Sequence, residues 1–321
     1  MRSRILTITA ATIAAAALTA VAFSIPATAA PITPNKVSYI VIPHPDDEFQ
    51  TAMMTQDSPD NYQVTITMTH GEQTSYCNPA ALKVSLQAKE IPPTPLPTSQ
   101  WSPSCDAARL NSWVGYMTEM SKTDPGTPGN VTDLGNRGPF PANGVPISRV
   151  DGGGKVVVDR TAHVWLDKQG RGALVAFDLG DGDLTPAEVS WAVKTVRDNR
   201  AALGLNTTLP NWNVLGAYSN EGYPGCDVYT HPDHRAVHVA LWNTDFRMHY
   251  QAAATCKSDP DAIRTGTVDQ AYLNAAFNPN GVTGAHEEHY GWLNETAYAV
   301  SRTNQSDLFM APQSFWIRWA H

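Results

Sequence analysis

The sequence predicts an α/β protein in which a mostly parallel sheet is flanked by helices and interrupted by long loops. Short β-branched runs such as Val37 to Ile42 have the composition of strands that are buried on both faces. Segments with helical spacing alternate with these runs along the chain, as in βαβ units. The chain has 321 residues and 42% hydrophobic composition, so it can bury a large core, and no composition break divides it.

The first thirty residues differ in character from the rest. Arg2 and Arg4 precede an apolar run from Ile5 to Ile25, and small residues follow up to Ala30. This order is typical of a secretory signal peptide, which we place at residues 1–29. The alternative is an uncleaved anchor, since the run is just long enough to span a bilayer. We therefore expect a secreted protein with a single catalytic domain at residues 30–321 and no stable membrane insertion after cleavage.

The charge of the chain disfavours some classes of binding partner, and its cysteine content indicates disulfides. Without the signal peptide the chain has 20 basic and 30 acidic residues, which disfavours binding to nucleic acid or anionic lipid. Its four cysteines can form two disulfides in three connectivities, and we favour Cys77 with Cys105 and Cys226 with Cys256. A cysteine-ligated metal is the weaker alternative, because no CxxC spacing occurs.

The elements in the first half of the chain follow from local patterns. A strand at 37–42 is followed by a short helix at 49–56 and a second strand at 62–69. A proline-rich loop at 91–103 separates these from a helix at 106–120, whose apolar residues lie on one face.

The second half starts with a Gly/Pro/Asn-rich segment at 123–154, in which we expect no regular element. Strands are predicted at 155–159 and 172–178, with a turn at 167–170 before the second. Thr185, Pro186 and Glu188 form a capping box that opens a helix to about Leu203. A strand at 213–218 and a helix at 235–241 follow.

Two clusters of ionisable residues lie at the ends of such elements. His44, Asp46, Asp47 and Glu48 come directly after the first buried strand. The second cluster, from His231 through Asp233 to His234, precedes the helix at 235–241. Open α/β sheets place ligands at the carboxyl ends of their strands, so the two clusters can converge on one site.

The residue types favour a zinc site. His44 and Asp47 are three residues apart, as are His231 and His234, so each pair can face the same side of a turn. Catalytic zinc uses about three nitrogen or carboxylate ligands and leaves one position for water, whose pKa it lowers to ~7. A neighbouring carboxylate that does not bind the metal can then act as the general base.

The paired motifs resemble those of the PIG-L/LmbE-like zinc-dependent N-deacetylases, which act mostly on N-acetylglucosaminyl groups. The motifs are His44-Pro45-Asp46-Asp47-Glu48 and His231-Pro232-Asp233-His234, with further matches at Thr69-x-Gly71-Glu72 and Arg109. The resemblance spans about residues 37 to 241 and implies a Rossmann-like sheet and one Zn²⁺ per chain. It implies His44, Asp47 and His234 as zinc ligands, Asp46 as general base, and His231, oriented by Asp233, as the oxyanion-stabilising group.

The remaining residues have less specific roles. We expect His231 to be cationic beside Asp233, and Glu48 to support the helix N-terminus or the metal ligands rather than bind metal. His70, Arg109 and Tyr229 are candidate substrate contacts. Where the family often has Arg-x-x-Glu, this chain has Ser112, which leaves the substrate open. The sequence around His286 and His289 predicts a solvated loop. A contact at the rim of the active site and a second metal site are the alternatives.

The expected function is therefore a secreted zinc hydrolase that removes acetyl from an N-acetylated amino sugar, presented on a small molecule or a glycan. A zinc amidase or esterase acting on another acylated glycoconjugate or natural product is one alternative. A non-catalytic sugar-binding relative is another. A glycosidase ranks last, because Asp46, Asp47 and Glu48 are too close in sequence to flank one glycosidic bond.

Overall fold

The computed structural model describes residues 33–85, 92–151, 154–157, 159–219, 229–277 and 312–319. By its internal contacts the chain divides into two units, Met1–Ala30 and Pro31–His321, and the fold described below belongs to the second. Among the described residues, no helix combines the length and apolar character needed to cross a membrane.

A nine-stranded sheet forms the centre of this unit, and a separate two-stranded ribbon lies outside it. The strands of the sheet are β1 Lys36–Ile42, β2 Asn61–Thr67, β3 Val131–Arg137, β6 Ala162–Asp167, β7 Gly172–Ala176, β8 Asn211–Gly216, β9 Tyr250–Thr255, β10 Arg264–Gly266 and β11 Gln313–Trp319. The ribbon consists of β4 Ser148–Asp151 and β5 Gly154–Val157. The helices are α1 Ala52–Gln56, α2 Pro79–Ser85, α3 Pro103–Thr123, α4 Pro186–Asp198, α5 Arg200–Leu203, α6 Pro232–Asn243 and α7 Gln270–Phe277.

The α/β class is confirmed, but the sheet is mixed rather than mostly parallel. Its order is β10-β11-β9-β8-β1-β2-β7-β6-β3. The five central strands from β9 to β7 are parallel, whereas the four pairings at the two edges are antiparallel. One reason is the predicted turn at 167–170, which is a tight hairpin between β6 and β7, and such a connection joins only antiparallel strands.

Both faces of the sheet are covered. Alternate residues of β1 point to opposite faces: Tyr39 and Val41 enter one hydrophobic cluster, and Ile40 and Ile42 enter the other. Helix α3 contributes to the second cluster, while α4 and α6 contribute to the first. This double burial explains why the strand reads as a continuous apolar run.

The direction of chain progression reverses at β1. From β1 the parallel strands proceed through β2 to β7 on one side, and the chain then returns to place β8 against the other side of β1. Such a switch point leaves a crevice at the carboxyl ends of the two strands. Both ionisable clusters follow these two strands, so the topology brings them to the same edge.

Several local predictions can be checked against these elements. The capping box of α4 is confirmed, with Thr185 and Glu188 bonded reciprocally. Helix α3 begins earlier than expected, because Ser102 caps it and Pro103 occupies its first turn. The expectation of no regular element in 123–154 is wrong: β3 and β4 lie there. Strand β3 is a partly exposed edge strand with an irregular register near Gly135, so it lacks apolar alternation.

The cysteine predictions are confirmed in part. A disulfide joins Cys77 to Cys105 and ties the loop after β2 to the first turn of α3. Cys256 is also disulfide-bonded, whereas Cys226, its predicted partner, lies outside the described residues. The segment around His286 and His289 lies outside them as well.

The part of the chain beyond residue 241 extends the sheet through β9, β10 and β11. It also supports the segment that follows the ionisable cluster at residues 44–48. The Gln313 amide donates to the Phe49 carbonyl at 2.9 Å and accepts from the Met53 N–H at 2.9 Å. The C-terminal strand thus anchors the helical segment that follows the first motif.

Candidate metal centre

Three predicted ligands meet at the switch point. His44 Nδ1 lies 3.2 Å from Asp47 Oδ2, and His234 Nε2 lies 3.2 Å from the same oxygen. These three side chains form one of the clusters that could hold a metal ion, and all of them are buried. The two sequence segments therefore converge, as expected for clusters at the carboxyl ends of neighbouring parallel strands.

The His234 ring is held in the orientation that a ligand needs. Its Nδ1–H donates to the Tyr218 carbonyl at 2.6 Å, which leaves the Nε2 lone pair facing Asp47. Within the described part of the chain, this buried Nε2 has no hydrogen-bond partner. Buried polar atoms are almost always partnered, so an orphaned imidazole nitrogen beside a carboxylate fits a metal ion.

Two carboxylates orient the other histidine. His44 Nε2 lies 3.0 Å from Asp233 Oδ2 and 3.1 Å from Asp181 Oδ1, so its Nδ1 is the nitrogen that faces Asp47. Although burial lowers the pKa of His44, Asp181, Asp233 and Asp47 together raise it well above its usual value. Metal binding would therefore displace a proton from this ring.

Asp181 is a site residue that the sequence reasoning missed. It lies in the Gly180–Leu184 loop after β7, and its Oδ2 accepts the Gln73 N–H at 2.6 Å. The available signal was a run of alternating glycine and aspartate directly after a buried apolar strand. Together with His44, His231 and Asp233, Asp181 forms a second group of potential ligands.

The Asp233 carboxylate contacts other groups than expected. It accepts the N–H groups of Gly182 at 2.8 Å and Leu184 at 3.1 Å besides contacting His44, and it lies 4.0 Å from His231 Nδ1. It is instead the Asp233 backbone N–H that donates to His231 Nδ1, at 3.3 Å. Asp233 thus orients the His231 ring through its main chain, while its carboxylate holds His44 and the loop after β7.

His231 is not the cation that the sequence suggested. Burial and the neighbouring charge of His44 lower its pKa below the usual value. The neutral ring accepts at Nδ1, so its Nε2 carries the proton and is a hydrogen-bond donor. The nearby Tyr229 ring lies edge-on to His234, with centroids 4.5 Å apart, and burial raises the pKa of its hydroxyl.

Asp46 occupies a different position from the ligand beside it. Its φ of 139° is in a region that non-glycine residues rarely adopt, and its N–H donates to Glu48 Oε2 at 3.2 Å. The side chain contacts Arg109, whose Nη1 lies 3.1 Å from Asp46 Oδ2. Glu48 thus accepts a hydrogen bond from the Asp46 backbone, which is a different contact from the support of the helix N-terminus or metal ligands that we expected.

The two adjacent aspartates differ in their ionisation. Burial raises the pKa of Asp46 to about 6, with Asp47 adding to the shift and Arg109 and His44 opposing it. Burial also disfavours the charged form of Asp47, but His234 and His44 outweigh it and lower the pKa of Asp47 below its usual range. A permanent carboxylate for a cation therefore lies next to one that can exchange a proton near neutral pH.

A cavity of about 220 Å³ opens above these groups. Its lining is predominantly polar and comprises His44, Asp46, Asp47, Gly71, Gln73, Thr74, Arg109, Asp181, Tyr229 and His231. Arg109 and Tyr229 are thus placed where the sequence suggested a substrate contact. His70 is not part of the lining: its side chain belongs to a separate cluster with Glu72 and Asp106, and its carbonyl accepts the Arg109 Nε–H at 3.2 Å.

Comparisons with known proteins do not assign the chain to a family. No protein-family model, no curated protein and no solved structure matches it significantly.

Proposed function

We propose that this protein is a zinc-dependent N-deacetylase of the PIG-L/LmbE-like type, which removes the acetyl group from an N-acetylated amino sugar. The observation that carries the proposal is the convergence of His44, Asp47 and His234, with Asp46 beside them but engaged elsewhere. This is a set of potential metal ligands together with a carboxylate suited to proton transfer.

The donor set favours zinc. Two imidazole nitrogens and one carboxylate oxygen match the ligands of catalytic zinc sites, which keep one position open. When bound, a Zn²⁺ ion would supply Lewis acidity and lower the pKa of a coordinated water. The orphaned His234 Nε2 and the ionised Asp47 are the groups of this chain that fit the ion best.

Asp46 is the proposed general base. Its pKa of about 6 lets it accept a proton from the attacking water at neutral pH and return it to the leaving amine. Arg109 holds this carboxylate at 3.1 Å, and Gly71 permits that approach, because a Cβ at this position would lie 2.4 Å from Arg109 Nη2.

His231 is the proposed donor to the developing oxyanion. Its neutral ring is fixed by the hydrogen bond to Nδ1, so the Nε2–H is a preorganised donor in the cavity lining. Removing one such donor typically costs ~3 to 4 kcal/mol of transition-state stabilisation. The polar lining with Gln73, Thr74 and Asp181 suits a substrate rich in hydroxyl groups, such as an amino sugar.

We further propose a Rossmann-like description of the sheet and export of the mature domain. The doubly covered sheet and its switch point at β1 and β8 support the first. The disulfide between Cys77 and Cys105 supports the second, because such bonds are rare in reducing compartments.

The decisive variant is Asp46→Asn, which preserves shape but cannot accept the proton. We expect bound zinc to be retained and acetate release from N-acetylglucosamine conjugates to fall by about 10²- to 10⁴-fold. Zinc is measured by elemental analysis, and acetate release is measured alongside hydrolysis of a panel of other amides and esters.

Asp133→Asn is the matched control, since Asp133 is an exposed carboxylate paired with His163 and should leave the rate unchanged. Near-normal turnover of Asp46→Asn would overturn the role of the base. An intact wild-type protein without metal would overturn the proposed function itself, while hydrolysis of only the other substrates would overturn the choice of an amino sugar.

A further inference from the structure

A third group of potential ligands lies where the loop after β2 meets the start of α3. His70, Glu72 and Asp106 place ligand atoms within 4.8 Å of one another. Glu72 is 1% exposed, whereas His70 and Asp106 are half-buried. None of these side chains lines the cavity above Asp46.

The polar atoms of this group lack partners to an unusual degree. Among the described residues, neither carboxylate oxygen of Glu72 has a hydrogen-bond partner, nor do His70 Nδ1, Asp106 Oδ1 and Asp178 Oδ1. Arg149 Nη1 lies 3.9 Å from Glu72 Oε1 but pairs more closely with Asp178. A buried carboxylate left in this state costs several kcal/mol unless a further positive group compensates it.

We propose that His70, Glu72 and Asp106 form a second divalent-cation site, separate from the one at His44, Asp47 and His234. The proposal rests on the placement of the three ligand atoms and, independently, on the buried Glu72 carboxylate, neither oxygen of which has a hydrogen-bond partner among the described residues. It gives His70 a role as a metal ligand rather than as the substrate contact that the sequence suggested.

The charge balance favours a divalent ion. Glu72, Asp106 and Asp178 can carry three negative charges, and Arg149 supplies one positive charge near them. Burial and the charges of Asp178, Asp106 and Asp181 raise the pKa of Glu72 well above its usual range, as expected where positive charge is short.

The ligand types narrow the choice of ion further. One imidazole nitrogen with two carboxylates suits Zn²⁺ or Mn²⁺, whereas Ca²⁺ prefers oxygen ligands alone. We therefore expect an ion of the Zn²⁺ or Mn²⁺ type at this position.

This second cation site is connected to the proposed catalytic centre along two paths. Asp106 and Arg109 lie one turn apart on α3, and Arg109 joins the His70 carbonyl to the Asp46 carboxylate. On the other side of the loop, the Gln73 N–H donates to Asp181, which contacts His44. A cation here would fix the loop of residues 70–73, which contacts both the base and a metal ligand, and so act on catalysis by positioning.

The test counts metal ions per chain in the full protein. Stripped protein is dialysed to equilibrium against Zn²⁺ or Mn²⁺ and analysed by elemental mass spectrometry. We expect two ions in the wild type and one in Glu72→Gln, with at least tenfold weaker affinity at the second cation site. Asp106→Asn, at a half-buried position on the helix, should lose the same ion and is used if Glu72→Gln does not fold. His163→Gln, which alters a half-buried histidine paired with the exposed Asp133, should keep both ions.

The two proposed metal sites can be tested separately. A His44→Ala, His234→Ala double variant should retain one ion, and that ion should disappear when Glu72→Gln is added. A wild type with a single ion that survives Glu72→Gln or Asp106→Asn would overturn the second cation site and leave the proposed function standing. A single ion lost in Glu72→Gln but kept in the double variant would support the second site and overturn the metal centre of the proposed function.

Discussion

Gln50 links the two halves of the proposed zinc site, and its replacement tests how the ligands are held. Its amide Nε2 donates to Asp47 Oδ1 at 2.7 Å, and its Oε1 accepts the Tyr218 N–H at 2.7 Å. The Tyr218 carbonyl in turn accepts the proton of His234 Nδ1. A single buried side chain thus connects a ligand after β1 to a backbone segment that orients the ligand at the start of α6.

The substitution Gln50→Met keeps the length and approximate volume of the side chain but removes both hydrogen bonds. Each bond contributes about 1 kcal/mol, and loss of the Gln50 acceptor at the buried Tyr218 N–H costs a further ~1 to 3 kcal/mol. We expect the free energy of unfolding of the metal-free protein to fall by about 3 to 5 kcal/mol. Loss of the support behind a ligand typically weakens metal affinity ~10- to 100-fold, which is the second expected effect.

Zinc affinity is measured by competition with a chromophoric chelator, and stability is measured by urea unfolding of the metal-free protein. Gln251→Met is the matched control, because the buried Gln251 bridges the Leu241 and Thr244 carbonyls and the Phe246 N–H away from the site. It should reduce stability and leave zinc affinity unchanged. Equal zinc affinity in Gln50→Met and wild type, with stability reduced in both variants, would refute the idea that Gln50 positions the ligands.

Three further predictions concern pH and the disulfide. The ascending limb of the pH–rate profile should have an apparent pKa at or below about 6, because Asp46 must be ionised and a bound cation favours the ionised form. A rate that is independent of pH between 4 and 7 would contradict this. Burial lowers the pKa of His238 to about 4, although its Nε2–H donates to the Ala254 carbonyl at 2.8 Å. The neutral His238 ring therefore contributes fully to the free energy of unfolding above about pH 6.5, and this contribution, at most about 3 kcal/mol, is lost as the pH falls through 4. Urea unfolding should show a weaker acid dependence in His238→Gln. The double replacement of Cys77 and Cys105 by serine should cost about 3 to 4 kcal/mol for a sequence separation of 28 residues, and an unchanged urea midpoint would argue against this.

The parts of the site that could be predicted from the sequence are those encoded within a few residues. His44 and Asp47 share a turn, and His231 to His234 share the start of a helix, so local spacing was enough to indicate ligands. The burial of β1 on both faces then placed the first cluster at a strand end. The convergence of the two clusters followed from the general behaviour of parallel sheets rather than from any pairwise signal.

Asp181 could not be found in this way, because its role depends on the position of β7 in the sheet. That position is set by its pairings with β2 and β6, which local patterns along the chain do not specify. The tautomer of His231 likewise depends on one backbone N–H at the start of α6. Features that require tertiary neighbours, rather than spacing along the chain, were the ones that sequence reasoning missed or misjudged.

The balance of buried charge suggests why the cations should sit where we place them. Asp46 is compensated by Arg109, and the Asp233 carboxylate by His44 and two backbone N–H groups, so these groups need no ion. In the described part of the chain, His234 Nε2 and the Glu72 carboxylate have no hydrogen-bond partner. Buried polar atoms left in this state are costly, and each of these two lies within a group of potential metal ligands. The same physical criterion therefore selects one ion next to the base and a second behind the arginine that holds it.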